Sequence, residues 1–184
     1  MYFKEKSSER NLLAADFAAP KIMERNQEEI IISRMTERDI IKVLAIERDS
    51  FSTPWSENIF RRELKIPFSR NLVARFRGKE IEEIAGYVNF WIISGEIHLH
   101  NIAVRNNRQR MGVASVLMRE MIRMARQNGV RHATLEVRST NDGARKLYEK
   151  FGFALIGIRP LYYDDTGEDA LIMWADLGEK DDGK

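Results

Sequence analysis

The chain has 184 residues, with 30 Lys and Arg against 28 Asp and Glu, a net charge of +2 and no cysteine. Its length fits one domain with a proper core, and its balanced charge gives no broad electrostatic attraction for nucleic acid or an anionic membrane. Without cysteine there is no disulfide, no thiolate metal site and no cysteinyl acyl-enzyme, and no apolar run approaches the ~18 residues of a membrane span.

Residues 1–27 read as a flexible N-terminal extension, polar from Lys4 to Asn11, with a small apolar group at Leu12–Phe17 and a breaker at Pro20. That polar stretch interrupts any signal-peptide core, so a cytoplasmic protein is expected. Ile30-Ile31-Ile32 gives a first strand. Thr36 is an N-cap for a helix with Ile40, Ile41, Leu44 and Phe51 on its inner face. After the loop Ser52-Thr53-Pro54-Trp55-Ser56, Ser56 caps a short helix through Leu64. Leu72–Phe76 is a strand that turns at Gly78, and Ile84–Ile93 is a long aromatic strand ending at Ser94-Gly95. Glu96–Val104 returns antiparallel to it.

The stretch NIAVRNNRQRMGVASV, Asn101 to Val116, then passes from an apolar strand end through a basic bend into a helix at Gly112. Val113, Val116, Leu117, Met121 and Met124 mark that helix by their spacing, and Asn128-Gly129 ends it. A helix N-terminus offers unpaired N–H groups to a phosphate, and Gly112 lets the backbone approach closely. Arg105, Arg108 and Arg110 add positive charge at the same place. The turn lacks the two glycines and Lys-Ser/Thr pair of a Walker loop and the three spaced glycines of a dinucleotide fingerprint. It reads as a pyrophosphate-binding turn of another kind.

His132–Arg138 alternates, with Ala133, Leu135 and Val137 on one face and Thr134, Glu136 and Arg138 on the other. Asn141 caps a helix carrying Ala144, Leu147, Tyr148 and Phe151 on one stripe, closed by Gly152. Strands Phe153–Ile158 and Ala170–Trp174 follow, separated by a polar turn at Asp164–Gly167, and residues 179–184 form a charged tail. The order β-α-α-β-β-β-α-β-α-β-β is a single α/β domain over 28–178, a mixed sheet of about seven strands with about four helices on its faces.

Four segments together resemble one family: IAVRNNRQRMGVASVLM, LEVRSTNDGARKLYEKFGF, RPLYYDDTGEDALIM and the FSTPWS loop. In order and spacing they are similar to the GNAT acyltransferases, and within them to enzymes that acetylate the N-terminal alanine of a ribosomal protein and to archaeal protein N-terminal acetyltransferases. The resemblance runs from about Ile30 to Leu177. It implies acetyl-CoA as co-substrate and a protein N-terminus as acceptor. By the same resemblance Ile102, Ala103 and Val104 hold the pantetheine and acetyl carbonyl through their backbone. Gln109, Arg110, Met111, Gly112, Val113, Ala114 and Ser115 wrap the pyrophosphate, and Asn141 bonds the pantetheine arm. Glu136 is the general base and Tyr148 the general acid, and Pro54, Trp55, Tyr162 and Tyr163 line the peptide end. The extension at 1–27 and the short GEDALIM turn depart from the family pattern, which bears on peptide choice.

The chemistry suits these residue types. An α-amino group, pKa about 7.7–8.0, is partly neutral at pH 7, so a carboxylate acting through water suffices as base, whereas a lysine near 10.4 asks for more. Read without the family, Glu136 is a surface glutamate on a polar strand face and Tyr148 a core aromatic. Tyr162 and Tyr163 fall on opposite faces of an extended chain, so at most one is expected to meet substrate. Glu96, His98 and His100 share a strand face, but their spacing of ~6.5–7 Å is too wide for chelation, and no metal is expected. His98 or His100 is the alternative proton acceptor. Lysine side chains, a small amine, or a CoA-binding role without turnover remain alternative functions. The oligomeric state is not legible.

Overall fold

The computed structural model describes residues 23–25, 28–77 and 83–178. Most of the expected extension, the turn at Gly78 and the tail at 179–184 lie outside the described residues. Eight strands form one sheet: β1 (Met23–Arg25), β2 (Glu28–Arg34), β3 (Ser69–Arg77), β4 (Glu83–Ile93), β5 (Glu96–Val104), β6 (His132–Arg138), β7 (Ala154–Tyr163) and β8 (Glu168–Asp176). Their order across the sheet is β1-β2-β3-β4-β5-β6-β8-β7. Seven are the strands expected from the sequence. The eighth, β1, pairs antiparallel with β2 inside the stretch read as extension.

Among the described residues there are four α-helices: α1 (Ile40–Ser50), α2 (Glu57–Glu63), α3 (Val113–Gln127) and α4 (Asp142–Lys150). They cover both faces of the sheet, and two apolar clusters result. Leu72, Ala74 and Phe76 of β3 join α3 through Leu117, Met121 and Met124 in one cluster. The intervening Val73 joins Ile40, Val43, Leu44 and Phe60 of α1 and α2 in the other. The period of two in a strand is what sends neighbours to opposite clusters. Strand β4 is buried from Ile84 to Phe90 without a break, because it has a helix over each face.

One expected inner-face residue is misplaced. Ile41 is 77% exposed, while Ile40, Val43, Leu44, Ile46 and Glu47 form the buried face of α1. A 3-10 turn at Glu37–Asp39 precedes α1, so the helix opens on Ile40, and its successor lies ~100° away around the axis.

Only one parallel pairing interrupts the antiparallel sheet among the described residues. β5 and β6 pair from Glu96↔His132 to Leu99↔Leu135 and no further. In the β4–β5 pairing, Asn89 faces Asn101 and Phe90 faces Leu99, which leaves His100 as the extra residue of a bulge. A bulge bends the strand that carries it, and β5 swings away from β6 at that point. The sheet is thereby split open in its middle.

Candidate active site

The split gives the site its shape. From Asn101 to Val104, β5 keeps β4 on one side but has no strand partner toward β6. Backbone N–H and C=O groups there are free to meet a ligand, and buried backbone groups need a partner of some kind. A cavity of about 780 Å³ lies over the opening, lined by both strands, by the α1–α2 loop and by the β7–β8 hairpin.

The structure brings most of the sequence-derived candidates to this cavity. Glu136, Tyr148, Asn141, Ile102, Trp55, Tyr162 and Tyr163 all line it. Pro54 is exposed and does not line it. Ala103, Val104 and the turn Gln109–Ser115 lie outside its walls. They continue from the open end of β5 into α3, as a cofactor longer than the cavity requires.

At that turn Gly112 is the N-cap of α3 with φ of 86°, and Arg110 sits at φ of 62°. A Cβ on Gly112 would meet open space, so its left-handed backbone is the local reason for glycine. Arg110 holds the same conformation against its side chain, a strain of the kind found at ligand clamps. The three arginines do not act alike. Arg105 and Arg108 both pair with Glu83, at 3.4 and 2.8 Å, and Arg108 also lies over the ring of Phe76. Arg110 makes no ion pair among the described residues.

Glu136 projects from β6 and pairs with Arg159 of β7 at 2.8 Å. Tyr162 also donates to it, and this bond is the main reason the Tyr162 phenol is shifted upward. Tyr148 is buried on α4, 6.0 Å from the ring of Phe153. Burial pushes its pKa far above the usual phenol value, with Tyr163 adding to the shift. Asn141 accepts from the Ala144 N–H at 3.1 Å through Oδ1, which fixes its amide as the helix cap and leaves Nδ2 as the end that can donate.

Tyr162 and Tyr163 correct the alternation rule. Both line the cavity, with ring centres 5.2 Å apart and edge to face. The β7–β8 register slips between Arg159 and Tyr163, and Leu161 takes a φ of 54° with its N–H bonded to Asp169 at 2.9 Å. The chain between them is looped rather than extended, so neighbours need not face opposite ways.

Among the candidate bases, His98 lies 3.6 Å from Glu96, and His100 packs edge-on to Trp91 with ring centres 4.5 Å apart. Burial lowers the pKa of His100, against an opposing pull from Glu63. His100 is the bulge residue, yet it stays on the side of His98: both line the cavity, and its ring meets Trp91, the cross-strand partner of His98. Among the described residues no three acidic or imidazole groups are grouped to hold a metal ion.

Two participants were not found from the sequence. Arg159 carried no signal, since its partner is fixed by strand register. Glu47 carried one: it stands three and four residues after Leu44 and Val43 on the apolar stripe of α1. Its side chain is fully buried at the cavity edge, accepting from the Trp55 N–H at 2.8 Å, Asn101 Nδ2 at 3.1 Å and the Tyr87 hydroxyl. Burial pushes its pKa up to about 7, against the lowering effect of the Trp55 and Asn101 bonds.

The acetyltransferase (GNAT) family model matches residues 40–153. A relative from Bacillus subtilis is 36% identical over 149 residues, covering 80% of this chain and 96% of its own. The ribosomal protein bS18-alanine N-acetyltransferase of Escherichia coli K12 is 34% identical over 149 residues, covering 77% of this chain and 94% of its own. A crystal structure of the ribosomal-protein-S18-alanine N-acetyltransferase from Escherichia coli superposes with a TM-score of 0.73 at 29% identity, over 84% of this chain and 98% of that one. A split sheet with a left-handed glycine turn at the start of α3, joined to these likenesses, shows that the chain belongs to the GNAT acetyltransferase family and is an acetyl-CoA-dependent N-acetyltransferase.

Proposed function

We propose that the chain acetylates the N-terminal α-amino group of a protein by direct attack with both substrates bound, and without a covalent enzyme intermediate. The acceptor favoured by the relatives is a ribosomal protein beginning with alanine, met in the cytoplasm. The observation that carries the reading is the shared cavity of Glu136 and Tyr148, at the unpaired end of β5 and between aromatic walls from Trp55, Tyr162 and Tyr163.

Acetyl-CoA supplies a thioester carbonyl and a thiolate leaving group. The residues present suit it: Gln109–Ser115 would hold the pyrophosphate, Ile102–Val104 the pantetheine through backbone groups, and Asn141 the same arm through Nδ2. A β5 N–H aimed at the carbonyl would stabilise charge on its oxygen. Glu136 takes the proton of the attacking amine through a water, and Arg159 and Tyr162 hold its carboxylate in place. Tyr148 stays protonated because burial raises its pKa, so it donates toward the departing sulfur and does not compete with Glu136 as base. Binding both reactants in one cavity supplies proximity.

The test is CoA release with two peptides. One has a free N-terminal Ala and no Lys; the other has a blocked N-terminus and several Lys. Turnover on the first alone is expected. Turnover on the second alone would make the chain a lysine acetyltransferase and overturn the proposal. Turnover on neither, with acetyl-CoA still bound, would do so too and point to small amines or a binding role.

A further inference from the structure

Strand β7 is an edge of the sheet, and Arg159 reaches inward from it across β8. In register it stands opposite Ala170 of β8, which stands opposite Arg138 of β6, two residues from Glu136. Two strand spacings, roughly 9.6 Å, separate the backbones of β6 and β7, so a long side chain is needed to span them. Ala170 is fully buried and presents only a methyl group between the two strands.

The guanidinium is fixed on one side and open on the other. Its Nη1 meets Glu136 Oε1 at 2.8 Å, and its carbon lies 5.5 Å from the ring centre of Tyr162. The Tyr162 oxygen accepts from Arg159 while its O–H donates to Glu136. A phenol has one O–H, so Tyr162 has no donor left. A guanidinium has five, and this one lines the cavity with its side chain 54% exposed. Donors therefore remain for a ligand. The proposed acceptor brings a partner for them at a fixed place. In a peptide with a free α-amino group, bond lengths hold the first carbonyl oxygen roughly 2.7–3.6 Å from the amine nitrogen. A rigid fork with one nitrogen on the proposed base offers its next nitrogen on that same scale.

We propose that Arg159 is an acceptor-binding residue: its free N–H groups donate to the carbonyl oxygen of the acceptor's first residue and so set the α-amine against Glu136. This rests on the N-terminal acceptor reading above. The contact is made to backbone, so it holds any first residue alike and leaves the choice of side chain to the rest of the wall.

The test is a binding cycle on enzyme loaded with CoA, so no turnover is needed. One peptide has a free N-terminal Ala; the other replaces its first peptide bond by an (E)-alkene, which keeps the extended shape and removes the carbonyl. Calorimetric titration gives Kd for each with the full chain, Arg159→Met and Tyr162→Phe. In the full chain the alkene is expected to raise Kd about tenfold or more, the worth of a hydrogen bond to a charged donor. In Arg159→Met both peptides bind weakly, with Kd values within about twofold of each other. Tyr162→Phe loosens Glu136 without removing these donors, so it keeps the full-chain ratio. The alkene also changes the basicity of the amine, but alike for all three enzymes, and the cycle cancels it. CoA affinity, which no acceptor-end change should move, reports that each variant is folded. A ratio as large in Arg159→Met as in the full chain would overturn the proposal. A ratio lost equally in Tyr162→Phe would do so too, since the effect would then belong to the shared grip on Glu136. The absence of any penalty in the full chain would overturn it whatever the variants do. Full-chain binding of the lysine peptide, and not of the free-Ala peptide, would instead fail the acceptor reading itself.

Discussion

The two regions proposed to hold the substrates are built differently. In the proposed cofactor region most of the contacts offered are backbone groups, on β5 past Leu99 and, beyond the cavity, on the turn that leads through Gly112 into α3. At the acceptor end they are side chains, brought together from α1, the α1–α2 loop, β6, β7 and the β7–β8 turn. A backbone site depends on conformation, so it tolerates changes of side chain and suffers from changes of backbone. A side-chain site has the opposite sensitivity.

The largest effect belongs to the acceptor side of the chemistry. Glu136→Gln keeps the shape and removes the proposed proton acceptor, and kcat is expected to fall by about 10²–10⁴, the usual worth of general-base catalysis. KM for acetyl-CoA, measured in the same initial-rate series, should hardly move. A large rise in that KM instead would mean that Glu136 serves the cofactor end, and the contrast between the ends would collapse.

A smaller effect tests the backbone end. Gly86 of β4 lies opposite Val104, and a Cβ there would stand 2.7 Å from the Ala103 carbonyl oxygen and 3.1 Å from a methyl of Val113. Gly86→Ala must therefore move β5 or the start of α3, at a cost of about 1–3 kcal/mol for overpacking. Urea denaturation reads that loss. The same displacement should raise KM for acetyl-CoA while leaving KM for the peptide close to wild type. A peptide KM that rose equally would show that the two ends are not separable.

The difference between the ends also explains what could be read from the chain alone. The cofactor turn is contiguous, and its glycine and helix periodicity are local signals. The strands and helices were legible for the same reason, each carrying its own period and caps. Arg159 next to Glu136, or Ser52 next to Arg138 86 residues away, depends on strand register and loop placement, which no local pattern encodes. The pairing of Tyr162 with Tyr163 failed differently. Alternation was a sound rule applied to a segment that a bulge at Leu161 takes out of extended form. Gly86 was unreadable because its reasons are the Ala103 carbonyl and Val113, both on other elements.

Glu47 joins the two ends, and the smallest prediction concerns it. One oxygen accepts from Trp55 of the acceptor wall and from Asn101 at the head of the free β5 segment, and the other meets Tyr87 beneath them. Burial raises its pKa from 4.5 to about 7, so the folded chain holds this proton more tightly than the unfolded chain does. Its contribution to stability is complete below about pH 4.5 and is lost as pH rises toward 7. Glu47→Gln copies the protonated acid, keeping an acceptor for Trp55 and Asn101 without a charge to desolvate. Other carboxylates oppose the trend, since Arg75 and Thr36 hold Asp39 below its ordinary value, Ser52 and Arg138 do so for Asp165, and Thr140 and Arg138 for Glu168, and what these three contribute to stability is lost as pH falls. The difference between variant and wild type cancels them. Denaturation at pH 5 and pH 8 should show the variant gaining on wild type by about 1 kcal/mol or more, roughly one pKa unit's worth. An equal difference at both values would mean that Glu47 does not titrate in that range and is a fixed carboxylate. The link between the acceptor wall and β5 would then run through a charged acceptor across that range, independent of the proton.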